Sequence, residues 1–397
     1  MNTPSDELLS RSVAAVYPSK DFVATRLARG EKLTIYQGFD PTGPDLHIGH
    51  AIGIKKLAEF QKAGHKVIFL IGDFTAMIGD PTDKSAARVP LTRKQILENL
   101  KNYKKQVSKL ISFSGRNAAE IKFNSKWLSK MNFADVLMLA SNMTVQQMLE
   151  RDMFEKRMNE GKPIFIHEFM YPLMQGYDSV AMNVDGEIGG NDQTFNMLTG
   201  RDLVKTLKGK EKFVITMKIL EDSNGKKMSK TEGNMITLSD SASDMYGKVM
   251  SLSDGFIIPG FELCTNMPMV EVEGIARDLA DGAVNPRDLK MRLAREIAGL
   301  YHGHKAAMLA EEKFISTFQK NEIPTDIKKI SVPKETLLVV PLTQYEVVSS
   351  KSEFRRLVEE GAIMNLDIDE KVTDPIVFAK SGVYRIGKKR FIKIEVI

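Results

Sequence analysis

A chain of 397 residues with 43% hydrophobic and 27% charged residues has the make-up of an ordinary globular protein with length for two or three domains. One cysteine, Cys264, excludes a disulfide framework and fits a reducing compartment. No apolar run approaches a membrane span and no basic-then-apolar leader is visible, so the expected location is the cytoplasm. A net charge of +5 permits contact with a polyanion without requiring one.

Residues 1–32 carry a helical pattern (Leu8, Leu9, Val13 and Val16, then Phe22, Val23 and Leu27) and no recognisable chemistry. Alternation in Leu33-Thr34-Ile35-Tyr36 predicts a strand. The periodic apolar positions Leu46, Ile52, Ile54, Leu57 and Phe60 predict a helix, with Asp45 as its N-cap. His47 and His50, three apart in the first turn, then share one face of a helix N-terminus, where backbone N–H groups and the helix dipole favour an anion. Taken alone, such a pair is more often incidental. Beside a Gly-rich loop it reads as a phosphate seat, with Gly49 leaving the backbone open to a flat base. A zinc reading is poorer, because no Cys-x-x-Cys accompanies the pair. The continuous apolar run Val67–Ile71 predicts a strand buried on both faces. Strand, helix and strand in so short a span predict a parallel crossover unit of a nucleotide-binding α/β sheet, whose ligands sit at the carboxyl ends of its strands. The segment from Gly72 to Pro81 falls at that edge, with Asp80 either a turn former or a pocket residue.

Residues 91–110 predict a basic amphipathic helix facing water, and an RNA contact is the secondary reading. The Leu- and Met-rich stretch 124–165 predicts a helical insertion that packs against another subunit. Tyr171, Gln175 and Asp178, at spacings of four and three, lie on one helical face, lining a pocket or forming a solvated stripe. In Gly186–Gln193, paired glycines allow a close backbone approach and Asp192 is placed to bind ribose hydroxyls. A strand is expected over Phe213–Leu220, followed by a Lys-rich loop, 222–233, that is either plain surface or a cover for a polyphosphate through Lys227, Lys230 and Thr231. Residues 240–325 look all-helical, 321–336 reads as a linker, and the tail from Leu337 is a small α+β piece with ten Lys/Arg against nine Asp/Glu. Any RNA face there must come from local clusters such as Arg355/Arg356 and Lys388-Lys389-Arg390.

Two of these stretches belong together. His47-Ile48-Gly49-His50 and Lys227-Met228-Ser229-Lys230-Thr231, about 180 residues apart, resemble the paired signature of class I aminoacyl-tRNA synthetases, with Thr231 where Ser is commoner. Tyr36–Thr42, Gly79-Asp80-Pro81, Tyr171/Gln175/Asp178 and Gly189–Gln193 resemble the tyrosyl-tRNA synthetase family, in its bacterial Met-Ser subgroup. The resemblance runs through nearly all of residues 30–240. Less specifically, 350–361 resembles a small RNA-binding module.

The resemblance implies an α/β architecture in three parts. These are a Rossmann-like parallel-sheet catalytic domain over 1–238 with the helical insertion at 124–165, an all-helical anticodon-binding domain over 239–325, and, after a linker at 326–336, a small α+β RNA-binding domain over 337–397. It implies ATP-dependent activation of L-tyrosine and transfer to tRNA(Tyr) by a homodimer. Mg²⁺ is carried by ATP and pyrophosphate, with no protein-bound zinc. Position by position, it implies that Tyr36 and Asp178 bind the substrate phenol. Thr75, Asp80, Tyr171 and Gln175 hold its ammonium group, and Gln193 lies near its carboxylate. Gly38, Asp40, His50, Gly190 and Asp192 surround the adenosine, with Gly49, Met228 and Lys230 also against ATP. Thr42, His47, Lys227, Lys230 and Thr231 hold the departing pyrophosphate. Gln37, Gly53 and Glu187 depart from the commoner residues and bear on pocket and ribose details. A tryptophan-activating sister enzyme and an inactive RNA-binding relative are the alternatives.

Overall fold

The computed structural model describes residues 7–80, 91–220, 235–318, 327–387 and 390–397. The chain forms two compact units, Met1–Ala307 and Met308–Ile397.

The first unit is built on a six-stranded sheet. Its opening elements are β1 (Val13–Tyr17), α1 (Lys20–Ala28), β2 (Thr34–Phe39), α2 (Ile48–Lys62), β3 (Lys66–Ile71) and the single turn α3 (Thr75–Ile78). Two short helices, α4 (Arg93–Leu100) and α5 (Tyr103–Val107), and strand β4 (Glu120–Phe123) follow. The insertion holds α6 (Ser125–Leu128), α7 (Phe133–Ala140), α8 (Val145–Leu149) and α9 (Asp152–Asn159) before the long α10 (Ile166–Met182). Strand β5 (Gly186–Gly190), a 3₁₀ turn over Asn191–Gln193, α11 (Thr194–Lys208) and β6 (Phe213–Met217) close the layer. The strand order is β1-β6-β5-β2-β3-β4. All neighbours pair parallel except β1, which runs antiparallel to β6. The chain proceeds from β2 outward through β3 and β4, then returns to lay β5 and β6 on the other side. The reversal opens a crevice at the carboxyl ends of β2 and β5, where open α/β sheets bind ligands.

The predicted crossover is present, and its strand β3 is buried from Val67 onward because helices cover both faces. The N-terminal helical expectation holds for Phe22, Val23 and Leu27, which lie in α1, and is corrected for Val13 and Val16, which lie in an edge strand held by the ladder to β6. The basic helix of 91–110 is two short helices instead of one.

Helix α10 approaches α11 closely because both carry glycine at the crossing. A Cβ on Gly176 would lie 3.0 Å from the Gly200 nitrogen and 3.1 Å from its Cα. That contact fixes the helix bearing Tyr171, Gln175 and Asp178 against α11, which itself packs on β5 and β6.

Helices α12 (Ala242–Met250), α13 (Ile257–Cys264), α14 (Met269–Ala280) and α15 (Pro286–His302) belong to the first compact unit. Part of the reason is electrostatic. Arg11 donates to the carbonyls of Phe261, Glu262, Thr265 and Met267, and Lys55 of α2 donates to those of Leu263 and Thr265. Two buried cations thus cap the C-terminal end of α13, where helix carbonyls lack partners and the dipole is negative. Helix α16 (His304–Phe318) runs across the division between the units.

The second unit contains β7 (Lys328–Val332), α17 (Val339–Gln344), α18 (Lys351–Glu359), β8 (Ile363–Asn365), β9 (Glu370–Lys371), β10 (Gly382–Ile386) and β11 (Arg390–Val396). The sheet order is β7-β11-β10-β8-β9. Residues 328–332, expected in a linker, are an edge strand parallel to β11. Phe354, Leu357 and Val358 of α18 pack on Ile386, Ile392 and Ile394, and Gly361 ends the helix with a φ of 63°.

Candidate active site

A cleft of about 350 Å³ occupies the crevice between β2 and β5. Strand β2 and its loop contribute Tyr36, Gly38, Asp40 and Thr42, and the start of α2 contributes His47, Gly49 and His50. The β3 edge adds Thr75 and Asp80, α10 adds Tyr171, Gln175 and Asp178, and the β5 edge adds Gly190, Asp192 and Gln193. Every site residue expected from sequence within the described part of this unit therefore lines one cavity. Lys227, Met228, Lys230 and Thr231 lie outside the described residues. Their flanks do not: Leu220 lines the cleft, and Ile236 and Leu238 hydrogen-bond to Ile48 and Leu46.

At one end of the cleft, Tyr36 and Asp178 are buried among polar partners. Asp178 Oδ1 accepts from Trp127 Nε1 at 2.7 Å and Oδ2 from Asn124 Nδ2 at 3.2 Å. The Asn124 amide is oriented by its other end, where Oδ1 accepts from the Phe74 N–H at 2.9 Å. Burial pushes the Asp178 carboxyl well above the usual carboxylate range, and the hydrogen bonds from Trp127 and Asn124 oppose it. Tyr36 Oη lies 2.8 Å from Ser179 Oγ, and Lys212 Nζ donates to that oxygen at 2.8 Å. Lys212 is fully buried and ion-paired with Glu187, which is also buried. Burial drives the Tyr36 phenol well above its ordinary value, with Glu187 and Asp178 adding to it.

Toward the middle lies a second group. Tyr171 Oη donates to Asp40 Oδ2 at 2.8 Å, and Thr75 Oγ1 donates to Asp40 Oδ1 at 2.7 Å. Asp40, expected beside the adenosine, is therefore tied to two residues of the expected ammonium set. Because both hydroxyl protons are spent on Asp40, the oxygens of Tyr171 and Thr75 keep acceptor character, which suits a cation. Asp80 accepts from Gln193 Nε2 at 2.8 Å and Arg151 Nη2 at 3.1 Å. The Gln193 carbonyl and that of Gln175 accept from Asn196 Nδ2.

At the other end, the cap of α2 is His47, not Asp45. Asp45 instead accepts from Ser239 Oγ at 2.6 Å. The two imidazoles stack with centroids 3.7 Å apart, and His50 Nδ1 accepts from the His47 N–H at 3.2 Å. Two observations bear on the expected phosphate seat and base contact. The Ile48 N–H donates to the Ile236 carbonyl at 3.0 Å, so the first helical donor is committed to protein. The face over Gly49 is covered by the His47 ring, 3.0 Å from where a Cβ would stand; a base against that backbone requires the ring to lie elsewhere.

The departures have partners of their own. A Cβ on Gly53 would meet the Gln37 amide at 2.4 Å, so the Gln37 side chain fills the space beside Gly53. Glu187 accepts from Gln175 Nε2 at 3.4 Å as well as from Lys212. Lys212, Ser179, Asn124, Trp127 and Arg151 escaped the sequence reading. Each is a lone polar or aromatic residue with no motif. The available signal was a Lys heading the apolar run 213–217 and a Ser following Asp178 inside an apolar helix.

In the second unit, Arg390 is held by Glu353 at 2.9 Å and by the Val347 carbonyl at 2.6 Å, and Arg356 pairs with Glu360 at 2.8 Å. These two guanidiniums serve internal contacts. Arg355 is exposed on α18, and Lys388 and Lys389 lie outside the described residues.

Residues 28–319 match the family described as tRNA synthetases class I (W and Y). The tyrosine–tRNA ligase of Moorella thermoacetica is 44% identical over 98% of this chain and 95% of its own length. That of Thermotoga maritima is 43% identical over 99% and 98%. The crystal structure of a C-terminally truncated mitochondrial tyrosyl-tRNA synthetase from Coccidioides posadasii superposes with a TM-score of 0.63 at 25% identity, covering 79% of this chain and 92% of that one. The chain belongs to the class I tRNA synthetases of the tryptophan and tyrosine group, within its tyrosine–tRNA ligases.

Proposed function

We propose that this chain joins L-tyrosine to tRNA(Tyr) in two steps. The tyrosine carboxylate attacks the α-phosphorus of ATP, forming tyrosyl-adenylate and releasing pyrophosphate. A 3′-terminal ribose hydroxyl of the tRNA then attacks the acyl carbon and AMP departs. The observation that carries the reading is the buried end of the cleft, where Asp178 accepts and Tyr36 faces the same cavity. A phenol hydroxyl gives one hydrogen bond and receives one, so it satisfies both groups. Phenylalanine leaves the proton of Tyr36 and the remaining lone pairs of Asp178 without a partner in the cleft. Tryptophan also fits less well, because an indole N–H donates but cannot receive.

No protein nucleophile is required. The substrate carboxylate is already ionised, and catalysis consists of positioning and of stabilising charge on the phosphates. His47 and His50 are proposed to act there together with Thr42, Lys227, Lys230 and Thr231, and ATP enters as its Mg²⁺ complex. Asp80, Tyr171, Thr75 and Gln175 take the ammonium group, Gln193 the carboxylate side, and Gly38, Gly190 and Asp192 the adenosine. Asp40 serves here as the anchor of Tyr171 and Thr75. Helices α12–α15 are assigned to the anticodon arm and the second unit to further RNA contact.

The chain is proposed to act as a homodimer through the insertion. Phe133, Leu137, Met138 and Val145 expose large apolar surfaces there, up to 77% for Phe133, and Ile166 at the start of α10 adds to them, which is unusual for a face left to water. The compartment is proposed to be the cytoplasm; among the described residues no helix is long and apolar enough to cross a membrane. Pyrophosphate exchange into ATP across the twenty amino acids tests the central assignment. Tyrosine alone should support it, and exchange driven by tryptophan would reject it.

A further inference from the structure

We propose that Lys212 is a specificity-determining positioning residue: through Ser179 it fixes the direction of the hydrogen bond that Tyr36 offers to the substrate hydroxyl. The inference rests on the tyrosine-activating reading and deepens it.

Three observations carry it. Lys212 Nζ has no exposure and makes two contacts through its ammonium, to Glu187 and to Ser179 Oγ. An ammonium can only donate, so Ser179 must receive there. The Ser179 proton then has two acceptors within reach, Tyr36 Oη at 2.8 Å and Glu187 Oε2 at 3.5 Å. The second distance is at the limit of a hydrogen bond, and that same carboxylate oxygen already holds the ammonium. Ser179 therefore donates to Tyr36, and the Tyr36 proton is left with two outlets, the Glu187 carboxylate already engaged by Lys212 and a hydroxyl in the cleft. On the far side stands Asp178, with both oxygens held by donors. The result is a one-way chain: Lys212 to Ser179, Ser179 to Tyr36, Tyr36 to the substrate hydroxyl, and substrate hydroxyl to Asp178. It starts on a group that cannot accept and ends on one that accepts from its protein neighbours. Without the ammonium, the Ser179–Tyr36 pair can reverse, and Tyr36 then presents a lone pair to a hydroxyl whose own proton is already given to Asp178.

Removing Lys212 alone would strand the buried Glu187 charge, so the test uses neutralised pairs. Lys212→Met with Glu187→Gln removes the donor; Lys212→Gln with Glu187→Gln restores an N–H; Ser179→Ala breaks the relay while leaving the ion pair intact. Tyrosine-dependent and phenylalanine-dependent exchange are measured for each variant, with ATP saturation curves and circular dichroism as folding controls. The Met/Gln pair and Ser179→Ala should each raise KM for tyrosine about 10- to 100-fold, the scale of one charge-assisted hydrogen bond. The ratio of tyrosine to phenylalanine kcat/KM should fall in step, while KM for ATP and kcat move less than about threefold. The Gln/Gln pair should regain part of the ratio, and adding Ser179→Ala to the Met/Gln pair should cost nothing more. An unchanged ratio in Ser179→Ala, or equal losses for both amino acids, overturns the proposal. If the Lys212 variants do not fold, Ser179→Ala decides alone. An unaltered enzyme with no tyrosine-dependent exchange would remove the underlying reading and this proposal together, a result distinct from a normal enzyme whose variants keep their discrimination.

Discussion

The two ends of the cleft are built on different principles. At the end lined by Tyr36 and Asp178, the key groups are buried and held by side chains from four elements: Asn124 and Trp127 beyond β4, Ser179 on α10, Glu187 on β5 and Lys212 before β6. The donors that reach Asp178 and Ser179, namely Trp127 Nε1, Asn124 Nδ2 and the Lys212 ammonium, cannot accept. At the histidine end, two stacked rings cap a helix whose first N–H is already engaged by Ile236. Discrimination between amino acids is thus assigned to the rigid interior, and handling of phosphate to the rim.

That contrast can be broken by variants that should separate cleanly. The largest effect is expected at the rim. His50→Ala should lower kcat for exchange by about 10²- to 10³-fold, the cost of deleting one donor that stabilises developing charge, with KM for tyrosine little changed in steady-state kinetics. A large rise in KM for tyrosine instead would merge the two ends. Next, Asp178→Ala should raise KM for tyrosine about 10- to 100-fold and narrow the preference over phenylalanine. Unchanged discrimination would remove Asp178 from the site.

A smaller effect belongs to the scaffold. Gly176→Leu presses on the Gly200 backbone, and overpacking of this kind costs about 1–3 kcal/mol. Thermal unfolding should show a lowered Tm; an unaltered Tm would mean that the crossing of α10 and α11 is slack.

Smallest is a pH effect confined to the second unit. The Ser349 N–H and hydroxyl, followed by Arg390, hold the Glu353 carboxyl at about 2, below its ordinary 4.5. A folded-state value below the unfolded one gives stability that is present above about 4.5 and lost as pH falls toward about 2. Glu353→Gln should flatten the acid limb of unfolding of that unit, followed by fluorescence or circular dichroism, without altering exchange kinetics.

Much of this molecule is legible in its residues, for reasons the contrast also explains. The crossover from β2 to β3 announces itself because a strand covered on both faces must be apolar throughout, and Val67–Ile71 is. The face bearing Tyr171, Gln175 and Asp178 is legible because helical spacing forces those side chains together. Edge strands are not: β1 and β7 are each held by one neighbour along the ladder, so Val13–Tyr17 passes for helix and Lys328–Val332 for linker. The seating of α13 within the first unit is hidden too, since it involves Arg11 reaching carbonyls some 250 positions away. The same is true of Lys212 and Ser179. A lone lysine before a strand and a lone serine in an apolar helix acquire meaning only when the fold places them 2.8 Å apart.

The most direct measurement is pyrophosphate exchange by the unaltered protein with L-tyrosine, L-phenylalanine and L-tryptophan supplied separately. A buried acceptor opposite a buried donor predicts exchange with tyrosine alone. Comparable exchange with phenylalanine or tryptophan would contradict it, because it would mean that the hydroxyl is not what the interior of the cleft is built to receive.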